Sequence, residues 1–121
     1  MEVRKVNVEE KFGRFQEYWR PKIIGELNDS YVKAVKLKGE FVWHEHEQED
    51  ELFFVTKGTL IIKLRDGDLQ LAAGEFVIIP RRVEHLPVAD DEVHALLVEA
   101  KTTVNTGTVA NERTVAELER I

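Results

Sequence analysis

The sequence predicts an all-β fold, a closed or sandwiched antiparallel structure, and three observations lead there. Short runs rich in β-branched and aromatic residues follow one another from about residue 22 to residue 100. Turn formers separate them: Asn28-Asp29-Ser30, Asp66-Gly67, Gly74 and Pro80. Leu60, Ile62 and Leu64 alternate with Thr59, Ile61, Lys63 and Arg65, the two-residue period of a pleated strand. Many short strands at such spacing, with no long helical stripe among them, suit a barrel or sandwich.

The elements follow in order. Asn7 and Glu10 resemble a capping pair, and Phe12, Phe15 and Trp19 fall at helical spacing, so a short amphipathic helix is expected over residues 8–19, ended by Pro21. Strands are expected at 23–27 and 31–37, flanking the Asn28-Asp29-Ser30 turn. The strand at 60–65 turns at Asp66-Gly67 into 69–71, a strong hairpin signal. Phe76-Val77-Ile78-Ile79, bracketed by Gly74 and Pro80, reads as a buried strand, and residues 93–98 make the last one. In the tail, 101–121, Thr114 and Glu117 resemble a capping box opening a short helix to Arg120, and the tail is expected to pack over the barrel. No repeat, linker or low-complexity tract divides the chain, so residues 1–121 are taken as one domain with a barrel core at about 22–100.

Composition narrows the function. The chain has 121 residues with 17 basic against 23 acidic, a net charge of −6, and no basic block, so nucleic acid and anionic membranes are poor partners. The absence of cysteine excludes disulfides, thiolate metal sites, iron–sulfur clusters and thiol nucleophiles. No apolar run is long enough to span a bilayer and the first ten residues lack a secretory pattern, so a cytoplasmic protein is expected.

Oxygen and nitrogen ligands remain, and they cluster. His44 and His46 stand two apart, so on a strand both rings leave the same face, with Val42, while Phe41 and Trp43 point the other way. Glu51 opens the next strand-like run and shares the parity of Phe53 and Val55, which favours it over Glu45, Glu47, Glu49 and Asp50 of the same acidic turn. His85 follows a second strand and a proline turn. Three imidazoles and one carboxylate suit a divalent first-row metal (iron, manganese, nickel, copper or zinc) and leave one or two positions open.

These two segments resemble the paired motifs of the cupin superfamily. In the first, His44, His46, Glu51 and the closing Gly58 fall in register, with Gly39 one position closer to the histidines than the pattern asks. In the second, Gly74, Pro80 and His85 match, while Arg82 stands where the pattern has glycine and Ala89 where it has asparagine. Only 15 residues separate Gly58 from Gly74, as in compact members of the family. The resemblance implies a small jelly-roll barrel with short N- and C-terminal helices and an internal metal ligated by His44, His46, Glu51 and His85. The chain as a whole resembles the small cupins often labelled mannose-6-phosphate isomerase-like, a label that follows the barrel and not an activity.

Val42, Phe53, Val55, Phe76 and Ile78 are expected to line the pocket, which would suit a small, partly apolar organic substrate. Oxygenase chemistry is the first expectation; isomerase, decarboxylase or lyase chemistry, or a non-catalytic sugar or organic-acid binding module, are the alternatives. Arg81 and Arg82 are either an anion clamp or exposed turn residues, and His94 is expected to be structural. Tyr18, Trp19, Tyr31 and Trp43 suit packing better than a sugar platform. Leu52 and Phe54, opposite Glu51, Phe53 and Val55, make both faces of their strand apolar. A wall facing water would not do so, hence either the N-terminal helix or a second copy covers it, and a homodimer is expected.

Overall fold

In the computed structural model, which describes residues 2–121, the chain runs α1 (Val8–Phe12), β1 (Lys22–Leu27), β2 (Ser30–Glu40), β3 (Glu51–Lys57), β4 (Thr59–Leu64), β5 (Gly67–Ala72), β6 (Phe76–Ile79), β7 (His85–Ala100) and β8 (Glu119–Arg120). The expected all-β barrel is what forms. Hydrogen-bonded order is β5-β4-β7-β2-β1-β8, with β3 branching from β7 and β6 from β3. No helix among the described residues is long and apolar enough to cross a membrane.

The long strand β7 organises the rest. Its first residues pair with β4 (Leu64↔His85, Ile61↔Val88), and its later ones pair with β3 (Glu51↔Glu99, Val55↔Ala95). Along its other edge it pairs with β2 from Glu40↔Val88 to Ser30↔Ala100, with a register shift between Leu37 and Gly39. One strand shared by three neighbours lets the sheet curl round a single interior. Side chains of alternate residues fill that interior: Val35, Leu37, Phe53, Val55, Leu60, Ile62, Val93, Ala95 and Leu97 are all buried there.

Local chemistry explains the corners. Asn28, at φ 52°, takes the left-handed turn position between β1 and β2 that asparagine tolerates. The β4–β5 turn uses Arg65 and Asp66, with Gly67 the first residue of β5 paired to Leu64, one place earlier than the Asp66-Gly67 expectation. Gly58, at φ 86°, carries the chain from β3 to β4 where a Cβ would lie 2.8 Å from the Glu92 carbonyl oxygen.

Four expectations are corrected. The N-terminal helix is one turn long and not 8–19: Asn7 caps it through its side chain to the Glu10 amide, and Gly13 closes it. Phe15 and Trp19 are buried as their spacing suggested, but from irregular chain. Trp19 turns inward at φ 63°, its amide donating to the Lys36 carbonyl. No helix forms at the C-terminus either. Thr114 spends its hydroxyl on the Asn111 amide and the Thr106 hydroxyl, and the chain ends as β8, parallel to β1.

In β6 the inward residues are Val77 and Ile79, while Phe76 and Ile78, expected in the pocket, are 60% and 52% exposed. A run of four apolar residues carries no parity of its own; the β3–β6 register (Glu51↔Ile79, Phe53↔Val77) sets it. Phe41, expected to face outward, is buried in the interior, because residues 41–43 are not strand and strand alternation does not govern them. The N-terminal segment does cover outer apolar surface, but that of β1, β2 and β7. Phe12 and Phe15 pack there with Ile24, Ala34, Val32 and Leu96.

Gly58→Ala should cost about 2 kcal/mol or more, because the left-handed backbone and the Glu92 carbonyl act together. Gly74→Ala, at φ 88° with nothing within 4 Å of the added carbon, should cost about 1 kcal/mol. Urea denaturation of the two variants checks this, and equal losses would show that close approach is not what requires Gly58.

Candidate metal centre

His44 and His85 are antiparallel bridge partners: the His44 amide donates to the His85 carbonyl at 3.1 Å and the His85 amide to the His44 carbonyl at 2.9 Å. This exchange ties the irregular stretch after β2 to the start of β7. It brings two imidazoles from remote parts of the chain within 4.2 Å, centroid to centroid. His46 lies two residues beyond, its carbonyl accepting from the Arg82 amide at 2.8 Å. Arg82 makes that bond from a left-handed backbone, φ 67°, at the position where the motif has glycine. Glu51, first residue of β3, enters from the neighbouring strand.

The four ligand-type atoms, one each from His44, His46, Glu51 and His85, lie within 4.8 Å of one another, and all four residues are buried. His44 and His85 each donate Nδ1–H to a backbone carbonyl, of Val42 at 2.9 Å and Val83 at 3.0 Å. That fixes the tautomer and leaves both Nε2 lone pairs facing the centre. Glu51 Oε1 sits 3.3 Å from His46 Nε2 and 3.2 Å from His85 Nε2. Burial, and secondarily the His85 ring, push the His44 imidazole down to about 4, so it is neutral near pH 7. Burial alone would raise the Glu51 carboxyl, but the neighbouring Glu99, His46 and His85 groups outweigh it and hold it well below the usual range. The Glu99 carboxyl is pushed well up, by burial first and then by the Glu51 charge.

The residues fit a divalent metal. Both ring nitrogens of His46 are buried and lack a hydrogen-bond partner, a state that costs about 1–3 kcal/mol unless something fills it. A cation among these imidazoles and the Glu51 carboxylate would fill it, and nitrogen with carboxylate oxygen suits first-row metals.

A narrow cavity of about 30 Å³, room for one or two waters, adjoins His44 and Glu51. Trp19, Phe41, Phe53 and Leu97 form its apolar wall, and Glu99 and Asn105 add polar groups. Of the expected lining residues only Phe53 borders it. Val42 is half-buried against the core, Val55 packs deeper within it, and Phe76 and Ile78 lie outside the barrel. Glu99 and its partner Lys33 escaped the sequence reading, although each ends an inward series: Val93, Ala95, Leu97, Glu99 on β7 and Lys33, Val35, Leu37 on β2.

The tail packs against the chain around Glu45 and the aromatic wall of the cavity. Gly107, at φ 60°, sits where a Cβ would run into the Glu45 carbonyl, the Thr108 amide donates to that carbonyl at 3.2 Å, and Thr106 is fully buried. The Arg113 guanidinium lies 5.7 Å and 5.9 Å from the Trp19 and Phe41 rings. Other candidates lie elsewhere. Arg81 pairs with Asp50 at 3.2 Å. His94 stacks on Phe12 at 4.5 Å and bonds Glu92 at 2.6 Å, on the outer surface. Trp43 lies under Arg65 and Trp19 lies in the core, so the aromatic residues form no common platform.

Comparison with known proteins agrees with this fold. The family described as Cupin domain matches residues 33–100. A cupin-2 domain containing protein from Shewanella frigidimarina NCIMB 400 has a solved structure that is 46% identical, covering 79% of this chain and 94% of its own, at a TM-score of 0.79. Protein NMB1881 from Neisseria meningitidis superposes at a TM-score of 0.74 with 27% identity, over 81% of this chain and all of its own. The uncharacterized protein YdbB of Bacillus subtilis (strain 168) is 38% identical over 63 residues, 51% of this chain; the match spans just over half, 56%, of that relative's length.

The neutral His44 sets a pH dependence. Its folded value of about 4 lies below the ordinary 6.5, so between the two the unfolded chain takes up a proton that the folded one does not. Stability of the metal-free protein should therefore be intact above about pH 6.5 and decline by up to about 3 kcal/mol as pH falls through 4. Urea midpoints at several pH values check this, and His44→Asn should flatten the slope.

Proposed function

The chain belongs to the cupin family, and from that membership and the convergence of His44, His46, Glu51 and His85 we propose that it holds one divalent first-row metal and works as a metal-dependent enzyme of oxygenase type on a small organic molecule. The observation that carries the reading is the buried, partnerless His46 ring inside a four-donor cluster. When bound, iron, manganese, nickel or copper would supply redox chemistry toward dioxygen, and any of these or zinc would supply Lewis acidity. His44 and His85 lock their Nδ1 protons onto carbonyls and so present only Nε2 inward. Glu51 adds the one negative charge that favours a cation. Trp19, Phe41, Phe53 and Leu97 give the small cavity beside the donors a largely apolar wall.

Elemental analysis of the purified protein by plasma mass spectrometry, beside His46→Ala, tests this. Near-stoichiometric metal should be present and should fall at least several-fold in the variant. Oxygen uptake with a candidate substrate would then support the oxygenase class, while zinc without uptake would favour isomerase, decarboxylase or lyase chemistry. A protein that takes up none of these metals even after reconstitution would overturn the reading.

We also propose that the outer face of β3 and β6 is a homodimer interface. Phe76 and Ile78 are 60% and 52% exposed beside the half-buried Leu52 and Phe54, and among the described residues β6 pairs with β3 alone. A bare apolar edge without lysine or proline invites strand pairing, and a second copy can meet it about a two-fold axis. Light scattering at micromolar concentration should give the dimer mass, and a Phe76→Glu/Ile78→Lys variant should be a monomer. A monomeric wild type would refute the interface.

A further inference from the structure

The cavity beside the donors is small for a site that handles an organic molecule. About 30 Å³ holds one or two waters, whereas pockets for small organic ligands usually exceed about 300 Å³. A side chain from outside the long strands takes up space there. Trp19 lies in the irregular stretch between α1 and β1, with Tyr18 and Arg20 exposed on either side of it. Yet it is only 7% exposed itself, and it borders the cavity.

Its backbone turns the indole inward. At φ 63° it holds a left-handed conformation, an outlier for so bulky a residue. Two bonds to β2 fix it there: the amide donates to the Lys36 carbonyl at 2.9 Å, and Nε1 donates to the Lys38 carbonyl at 2.8 Å. The ring then stacks on Phe41, centroids 4.8 Å apart and planes 20° apart, and Phe41 meets the His44 ring edge-on at 5.2 Å. Trp19 is thus one ring removed from a donor. Filling a barrel core does not require such a backbone. Val35, Leu37 and Leu97 border the same cavity from β2 and β7 in ordinary strand conformation. Strain of this kind persists where its consequence is of use, and here the consequence is the size of the space next to His44 and Glu51.

We propose that Trp19 is a specificity-determining residue of the metal centre: it admits molecules of about two or three heavy atoms to the space beside His44 and Glu51 and excludes aromatic or similarly bulky ones. The inference rests on the metal-dependent reading and narrows it to substrates with a slender reacting end.

The test reads access to the ion from the d–d absorption of cobalt(II), loaded into the full chain after chelator treatment. Azide and benzimidazole are the entering ligands; benzimidazole has the shape of an indole and carries a nitrogen that binds metal. In the wild type, azide should shift the absorption at concentrations where benzimidazole leaves it unchanged. Trp19→Ala should bind benzimidazole at least about tenfold more tightly than wild type, and azide within about twofold of it. Phe15→Ala removes a buried ring of the same N-terminal segment that packs outside the barrel, so it controls for general loosening and should behave as wild type. Circular dichroism monitors folding, and Trp19→Leu replaces Trp19→Ala should that variant not fold. Benzimidazole bound equally by wild type and the Trp19 variant, excluded by both, or admitted as well by Phe15→Ala would overturn the role of Trp19. So would a loaded wild type that azide does not reach. A wild-type chain that takes up no cobalt(II) would instead overturn the metal reading itself, and this inference with it.

Discussion

Backbone pairing along β7 is the constraint on which the rest depends. His85 at its start and Glu99 near its end both face the interior, and its neighbours arrive in registers that leave no freedom. Pairing to β3 sets Glu51 opposite Glu99, and pairing to β2 sets Lys33 beside Leu97. The isolated bridge from His85 to His44 then draws the connection between β2 and β3 across the interior. A one-residue slip in any of these pairings would turn the corresponding polar side chain outward and dissolve the cluster.

Placing six polar or charged side chains inside a small barrel is costly, and the structure shows how the cost is limited. His44 and His85 satisfy Nδ1 on carbonyls two residues away, so each ring is held without enlisting another side chain. Lys33 satisfies one oxygen of Glu99. What stays unsatisfied is confined to His46, the second oxygen of Glu99 and the Thr103 hydroxyl, all near the centre or the tail that covers it. Unmet hydrogen-bonding capacity gathered at one place in a well-paired barrel is what distinguishes a site from a core defect.

The surroundings divide the remaining apolar surface into two parts with different fates. Phe12 and Phe15 seal the outer faces of β1, β2 and β7, and the tail packs on the Glu45 backbone through Gly107 and Thr108 before β8 joins β1. The outer face of β3 and β6 receives no such cover from the described residues. Both covering segments lie outside residues 33–100, the stretch that matches the family.

The barrel, its turns and the four donors were legible in the amino-acid sequence, because alternation, breakers and histidine spacing are local properties. Leu60 and Ile62, or His44 and His46, declare their common face within a few residues. The sequence likewise determined the chemistry on offer, nitrogen and oxygen donors without thiols. Other features needed the folded chain. Phe76 and Ile78 looked interior until pairing with β3 assigned their parity; Phe41 turned inward because its segment is not strand. Thr114 resembled a cap, but its hydroxyl found Thr106 instead. Lys33 and Glu99, 66 residues apart, carried no shared motif. Only tertiary structure decided their meeting with Glu51, since a contact between distant residues depends on strand register, which neither residue encodes alone.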